Sequence, residues 1–211
     1  MTGRRRGGDC SSMTSSPGSP VDRLLTASLI IGPVVYLVAD SLYAARGWDD
    51  PTAGVFHVLG AIGYALVVVR LVAFGSGYLA AALLAVGVLG VAGNVAYGFN
   101  TIHVSLGDTD LVDAAGAANL IKPLGLFFPL TLLLAAIVLR RTGPVWNAAL
   151  LAAAAPVWPI AHIANIAWLA VAVNVVLVAV FGTVAVTTFH TPKGVLPRPP
   201  ASARSTVSHQ E

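Results

Sequence analysis

Six stretches of the chain, at about 24–45, 54–74, 77–99, 119–140, 145–163 and 166–189, are almost wholly apolar and are separated by short polar connections. A helix rising 1.5 Å per residue needs about 20 apolar residues to cross a hydrocarbon layer, so each stretch is long enough or nearly so. Backbone groups in lipid must be paired within the spanning unit. That leaves helices or a closed barrel, and a barrel would alternate apolar and polar positions. No such alternation is present. The pattern therefore predicts an all-α, polytopic membrane protein: a six-transmembrane-helix bundle forming one membrane domain over residues 23–189. Residues 1–22 and 190–211 are small, polar, Pro-containing and basic, too poor in apolar side chains to order themselves, and are expected to be disordered tails. A secretory signal with Arg4, Arg5 and Arg6 as its basic region is the competing reading. The apolar run starts only at Leu24 and has no small-residue cleavage site after it, so the first helix is expected to stay.

Three features interrupt the pattern. The longest connection, 100–118, carries Asp108-Thr109-Asp110 just before LVDAAGAANLI, and side-chain oxygens at that place predict a helix start outside the membrane. Pro123 and Pro129 then fall inside the fourth helix and are expected to kink it or loosen its hydrogen bonding. The fifth stretch is Ala-rich, contains Pro156 and Pro159 and ends at His162, which opens the alternatives of a broken helix or an ordinary Pro-marked end. Val-Ala-X-Asn-Val recurs in the third and sixth stretches, at Asn94 and Asn174. The two asparagines lie at different distances from their segment starts, so the match is read as coincidence and not as an inverted repeat.

Composition supports the membrane reading. Hydrophobic residues make up 56% and charged residues 10% of the 211, against about 25% charged in a soluble domain. The net charge of +3 does not point to nucleic acid, because the basic residues lie in tails and connections. With the N-terminus inside, all Lys and Arg except Arg46 and Lys122 fall on the inner side, while Asp49, Asp50, Asp108, Asp110 and Asp113 fall outside. A plasma-membrane protein with both termini cytoplasmic is expected. The single cysteine, Cys10, permits no intramolecular disulfide and no Cys-based metal site.

Candidate chemistry starts from Asp40, the one acidic side chain within an apolar stretch. Gly32, Tyr36, Asp40 and Tyr43 recur at helical spacing and share a face. A carboxylate there is costly unless it is paired or wetted. One reading is a proton, cation or ligand site with the two tyrosines; the other is that Asp40, about 9 Å from the outer helix end, reaches interfacial water. A salt bridge to Lys122 would serve both residues, as would Lys122 extending to the surface. His57 shares a face with Ala61 and Tyr64, and Asn94 and Tyr97 lie on a face with Gly87, Gly90 and Thr101, where the glycines suit close helix packing. Trp158 and His162 are four apart on the fifth stretch.

Asp40, His57, Asn94, Asn100, His103, Lys122, His162, Asn165 and Asn174 all fall in the outer half of the topology, which suggests an outward-facing polar pocket. The expected ligand-binding set is Tyr36, Asp40, Tyr43, His57, Asn94, Tyr97, Lys122, His162 and Asn174. The leading reading needs no cofactor. The alternative is a haem b or a divalent metal on His57, His103 and His162 in a membrane oxidoreductase component, although no local ligand spacing supports it. No GxSxG or phosphate-cradling motif occurs, and Ser41, His57 and Asp40 do not form a triad because adjacent helical residues point about 100° apart. No catalytic set is assigned, and the balance leans away from an enzyme. The expected partners are the lipid bilayer and a small polar or amphipathic ligand, bound or passed through the pocket, with no nucleic acid. An accessory role beside another membrane protein or a second copy of the chain is the remaining alternative.

Overall fold

The computed structural model describes residues 18–190, and the expected tails otherwise lie outside the described residues. Six helices follow in order: α1 Pro20–Arg46, α2 Pro51–Val72, α3 Gly77–Ser105, α4 Ile121–Thr142, α5 Val145–Ile163 and α6 Ala167–His190, with a short 3₁₀ turn at Gly116–Leu120 leading into α4. All six are long and apolar enough to cross a membrane. No strand occurs among the described residues, and the protein is a multi-pass membrane helix bundle.

The helix ends follow from capping chemistry. α1 begins before the apolar run, at Pro20, because Ser19 Oγ accepts from the Asp22 N–H at 3.1 Å and proline suits the first helical position. Residues 20–22, expected in the tail, are thus helical. Asp50 caps α2 in the same way, accepting from the Ala53 N–H at 2.8 Å ahead of Pro51. α3 runs on to Ser105, past the apolar limit at 99, and the acidic cluster does not start a helix. Its Asp110 carboxylate is used within the loop, accepting from Asn100 Nδ2 and from the Val112 N–H at 2.8 Å each, while Asn100 Oδ1 accepts from the Leu111 N–H at 2.9 Å. Pro123 sits in the first turn of α4, where no intrahelical N–H is needed. α5 is continuous through Pro156 and Pro159, so no broken helix forms.

The helices pack as a closed ring in chain order, each on its two sequence neighbours, with α6 returning to α1. Both ends of the bundle lie on one side, here the terminal side, and the connections α1–α2, α3–α4 and α5–α6 lie on the far side. Two backbone contacts draw the ring tight. A Cβ on Gly63 of α2 would lie 2.7 Å from Gly32 Cα of α1, and one on Gly90 of α3 would lie 2.8 Å from Phe128 Cα of α4. Only glycine permits such approaches. The interior is filled by aromatic side chains meeting across the ring: Tyr36 of α1, Tyr64 of α2, Phe128 of α4 and Phe181 of α6, with Tyr64 edge-on to Phe128 at 5.0 Å and to Phe181 at 6.1 Å. Apolar side chains such as Ile31, Leu59, Val88 and Ile137 cover the outside.

Arg70, counted among the flanking inner charges, is buried on the terminal side. Its Nη1 lies 2.7 Å from Asp22 Oδ1 and its guanidinium lies 5.1 Å from the Phe74 ring centroid. The pair ties the start of α1 to the end of α2.

Because the α1–α2 approach is backbone on backbone and cannot relax by a rotamer change, Gly63→Val is expected to cost about 1–3 kcal/mol or more. The check is the denaturation midpoint of purified protein; a midpoint equal to that of Val69→Ala, at an exposed position of the same helix, would contradict the packing described.

Candidate functional site

The inward stripe of α1 sets the site. Gly32, Tyr36, Asp40 and Tyr43 are all buried, Tyr36 and Asp40 with no exposed surface. His57 arrives from α2, Asn94 from α3, His162 from the far-side end of α5 and Asn174 from the second turn of α6. Two hydrogen-bonded groups result, flanking one another along α1.

The first centres on the Tyr36 hydroxyl. Asn94 Nδ2 donates to Gly90 O at 2.9 Å, which fixes its amide so that Oδ1 faces Tyr36 and accepts the phenolic hydrogen. That hydrogen is then spent, so the 2.7 Å contact between Tyr36 Oη and His57 Nε2 is a donation from the imidazole N–H. His57 is therefore the Nε2–H tautomer, and its buried Nδ1 is an acceptor with no hydrogen-bond partner. Tyr43 is tied separately. Thr101 Oγ1 donates to Tyr97 O at 3.2 Å, leaving the Tyr43 hydroxyl to donate to Thr101 at 3.2 Å.

The second centres on Asp40. Asn174 Nδ2 donates both to Asp40 Oδ2 and to Ala170 O, the latter at 3.2 Å, which orients the amide as it did in Asn94. His162 Nδ1 lies 2.8 Å from Trp158 O. A carbonyl only accepts, so Nδ1 carries a hydrogen and Nε2 faces the carboxylate, 3.2 Å from Oδ2 and off the line of a good hydrogen bond. A lone pair against a carboxylate oxygen repels. A proton between the two atoms would remove that repulsion, either as carboxylate and imidazolium or as carboxylic acid and neutral imidazole. In both forms the buried pair is net neutral, which suits a site surrounded by apolar helices. The partner is not Lys122, which is exposed at the start of α4.

Aromatic rings close around these groups. From His57 the circuit passes to Tyr36 (centroids 4.5 Å), Phe128 (5.9 Å), Trp158 (5.0 Å), His162 (4.1 Å), Trp48 (6.0 Å), Tyr43 (5.2 Å) and back to His57 (5.9 Å). Asp40 stands between Tyr36 and Tyr43 on α1 and touches His162, so the circuit flanks it along the helix and across it. Trp48, from the α1–α2 connection, is held by its Nε1–H donating to Asn165 O at 3.3 Å. Asn165 can present that carbonyl because it adopts φ 53° in the α5–α6 turn, a left-handed conformation that asparagine tolerates. The site is enclosed, not an open pocket: Asp40 has no exposed surface and the His162 side chain is 12% exposed.

Of the nine far-side polar residues, Asp40, His57, Asn94, His162 and Asn174 gather in the bundle, and Asn165 helps to cover them. Asn100 shapes the α3–α4 loop, His103 pairs with Asp108 at 3.2 Å near the surface, and Lys122 is exposed. Tyr97, half-buried, packs its ring against Gly125 of α4 and lies outside the hydrogen-bonded groups, touching them only through its carbonyl. His57, His103 and His162 do not come together as a ligand set: among the described residues, no three His, Cys, Asp or Glu side chains gather in a way that could hold a metal ion. Sequence reasoning left out Trp48 and Phe128 and gave Tyr64 and Trp158 no role at the site. A tryptophan in a four-residue connection was the available signal for Trp48, whereas Phe128 was one apolar residue among many.

The two tyrosines are expected to differ in weight. Tyr36→Phe strands both Asn94 Oδ1 and the His57 N–H in the interior, at about 1–3 kcal/mol for each buried unpaired group. Tyr43→Phe removes a longer, part-buried bond worth about 1 kcal/mol. Denaturation midpoints of the two variants check this, and equal losses would count against the Tyr36-centred network.

No family model, no curated protein and no solved structure matches this chain, so the reading of the site rests on its own geometry.

Proposed function

We propose that this membrane protein binds, or passes across the bilayer, a small polar or amphipathic ligand at the Asp40 cluster, without chemical transformation. The observation that carries the proposal is the state of the cluster's remaining polar atoms. Asp40 Oδ1, Asn174 Oδ1, His57 Nδ1 and Trp158 Nε1 are all buried and make no hydrogen bond. Native interiors seldom leave such atoms unpaired, because each costs about 1–3 kcal/mol, and a concentration of them marks a place with a use beyond folding. They come from four different helices and sit within a wall of aromatic rings, the mixed lining that small-molecule sites use.

The distribution of Lys and Arg supports a plasma-membrane orientation with both termini cytoplasmic, which sets the cluster toward the outside, beneath Trp48. Entry from that side passes His162.

The test is a thermal-shift panel of charged and uncharged small polar solutes on detergent-purified protein, comparing the native chain with Asp40→Asn. At least one compound is expected to stabilise the native chain saturably, by about 2.7 kcal/mol at a concentration 100 times its Kd. Asp40→Asn, monodisperse and with unchanged helical content, is expected to lose that response. An equal response in a well-folded Asp40→Asn moves the site elsewhere, and no response to any compound removes the reading.

A further inference from the structure

Resting on that reading, we infer that the ligand of the Asp40 cluster is a small organic cation with a primary ammonium group, and that its binding displaces the proton shared by Asp40 and His162. Among the unpaired buried atoms around the cluster, Asp40 Oδ1, Asn174 Oδ1 and His57 Nδ1 are acceptors, and Trp158 Nε1 and the Tyr64 hydroxyl can donate. A cluster rich in acceptors and carrying a carboxylate selects a donor-rich ligand, and an ammonium group has three N–H donors and no acceptor. The walls agree. Tyr36, Tyr43, Trp48, Phe128 and Trp158 surround the cluster with aromatic rings packed on one another, a residue type whose faces attract cations.

The proton follows from charge. Asp40 has no exposed surface, so its carboxylate must be neutralised whether or not a ligand is present. Without ligand, one proton held between Oδ2 and His162 Nε2 does this. With an ammonium group against the carboxylate, a second positive charge on His162 would lie beside the first in a medium of low dielectric, so the proton leaves. The exchange balances: the protonated pair plus R–NH₃⁺ gives carboxylate, neutral imidazole and bound R–NH₃⁺, with one H⁺ released. The site is net neutral on both sides of the exchange. The groups that act on the pair are identifiable. Asp40 interacts electrostatically with Tyr36 and Tyr43 of its own helix and with His57 and Tyr64 of α2, and His162 acts on His57. Asn174 is the facing polar group of α6 and is uncharged. α4 offers Lys122, which is exposed, and carries Arg140 and Arg141 at its opposite end. Asp50 beyond Tyr43 is paired with Arg46 at 3.7 Å. Asp40 and His162 together carry the proton, and Asp40 is the group that either cation must satisfy.

The experiment uses the full chain in weakly buffered detergent with a pH-indicator dye, adding phenethylammonium chloride. The expected result is saturable release of about one proton per chain, with an apparent affinity that rises by up to tenfold per pH unit wherever release is observed. 3-Phenylpropan-1-ol, similar in size and uncharged, is expected to release none and to bind more weakly. Asp40→Asn is expected to abolish both binding and release. His162→Gln leaves Asp40 to hold the neutralising proton alone, so it is expected to retain phenethylammonium binding and the release of about one proton, over a shifted pH range; it keeps the test open should Asp40→Asn fail to fold. Tight binding of the alcohol, abolished by Asp40→Asn, overturns the cation assignment and leaves the ligand-binding reading standing. Binding of the ammonium without proton release overturns the exchange, and the same release on adding sodium chloride alone assigns the site to a metal cation instead. Failure of a series of primary ammonium salts from two to ten carbons to bind, with the thermal-shift panel also blank, overturns both readings.

Discussion

A carboxylate with no exposed surface, inside a bundle whose outer face is hydrocarbon, is the constraint on which the far-side half of this protein depends. An unpaired charge in such a place costs several kcal/mol. The neighbours of Asp40 can be understood as its compensation: an amide from α6 that donates to it, and an imidazole from α5 whose Nε2 lies 3.2 Å from it. Each of those side chains is itself oriented by a carbonyl one helical turn back in its own helix, Ala170 for Asn174 and Trp158 for His162. The orientation of the site is therefore built into helix geometry. Asp40 in turn joins three helices, because α1 contacts α6 and reaches α5 across the interior.

The rest of the bundle makes that arrangement reachable. Glycine contacts bring α1 against α2 and α3 against α4 at backbone distance, which shortens the span that Tyr36 must cover to meet His57 and Asn94 at once. Along the ring's axis stacked and edge-on aromatic rings pack together with aliphatic side chains. The same rings that pack the core line the polar cluster. Stability and the proposed ligand recognition thus draw on one set of residues, so a substitution here must be read for folding and for binding separately.

The two sides of the membrane carry different chemistry. On the terminal side Arg70 and Asp22 form a direct ion pair against Phe74, with the charge of each answered at once. On the far side Asp40 faces the His162 imidazole, and Asp40 Oδ1, Asn174 Oδ1 and His57 Nδ1 remain unpaired, against Arg70 Nε and Asn147 Oδ1 on the terminal side. The first is a structural clasp. The second sets a buried carboxyl beside an imidazole among unpaired polar atoms, which is why the proposed function is located there.

How much of this was legible in the sequence differs from element to element. Six apolar runs and their lack of alternation determined six spanning helices, because lipid accepts little else, and helical spacing was enough to align Tyr36, Asp40 and Tyr43 on one buried face. Helix ends were less legible. The capping of α1 by Ser19 was readable but outweighed by the polarity of its surroundings, and Asp110 has the side chain of a helix cap but serves Asn100 across a loop. Asp40 to Lys122 was a pairing of equal depth only; depth is one coordinate, and Lys122 is exposed. The tertiary structure decided the partners, since they depend on which helices adjoin: α1 packs beside α6 and faces α5 across the ring, so Asn174 and His162, distant in sequence from Asp40, are the residues against it. Hydropathy determines that a chain enters the membrane and how often. Only the packing of the helices decides which polar groups meet inside.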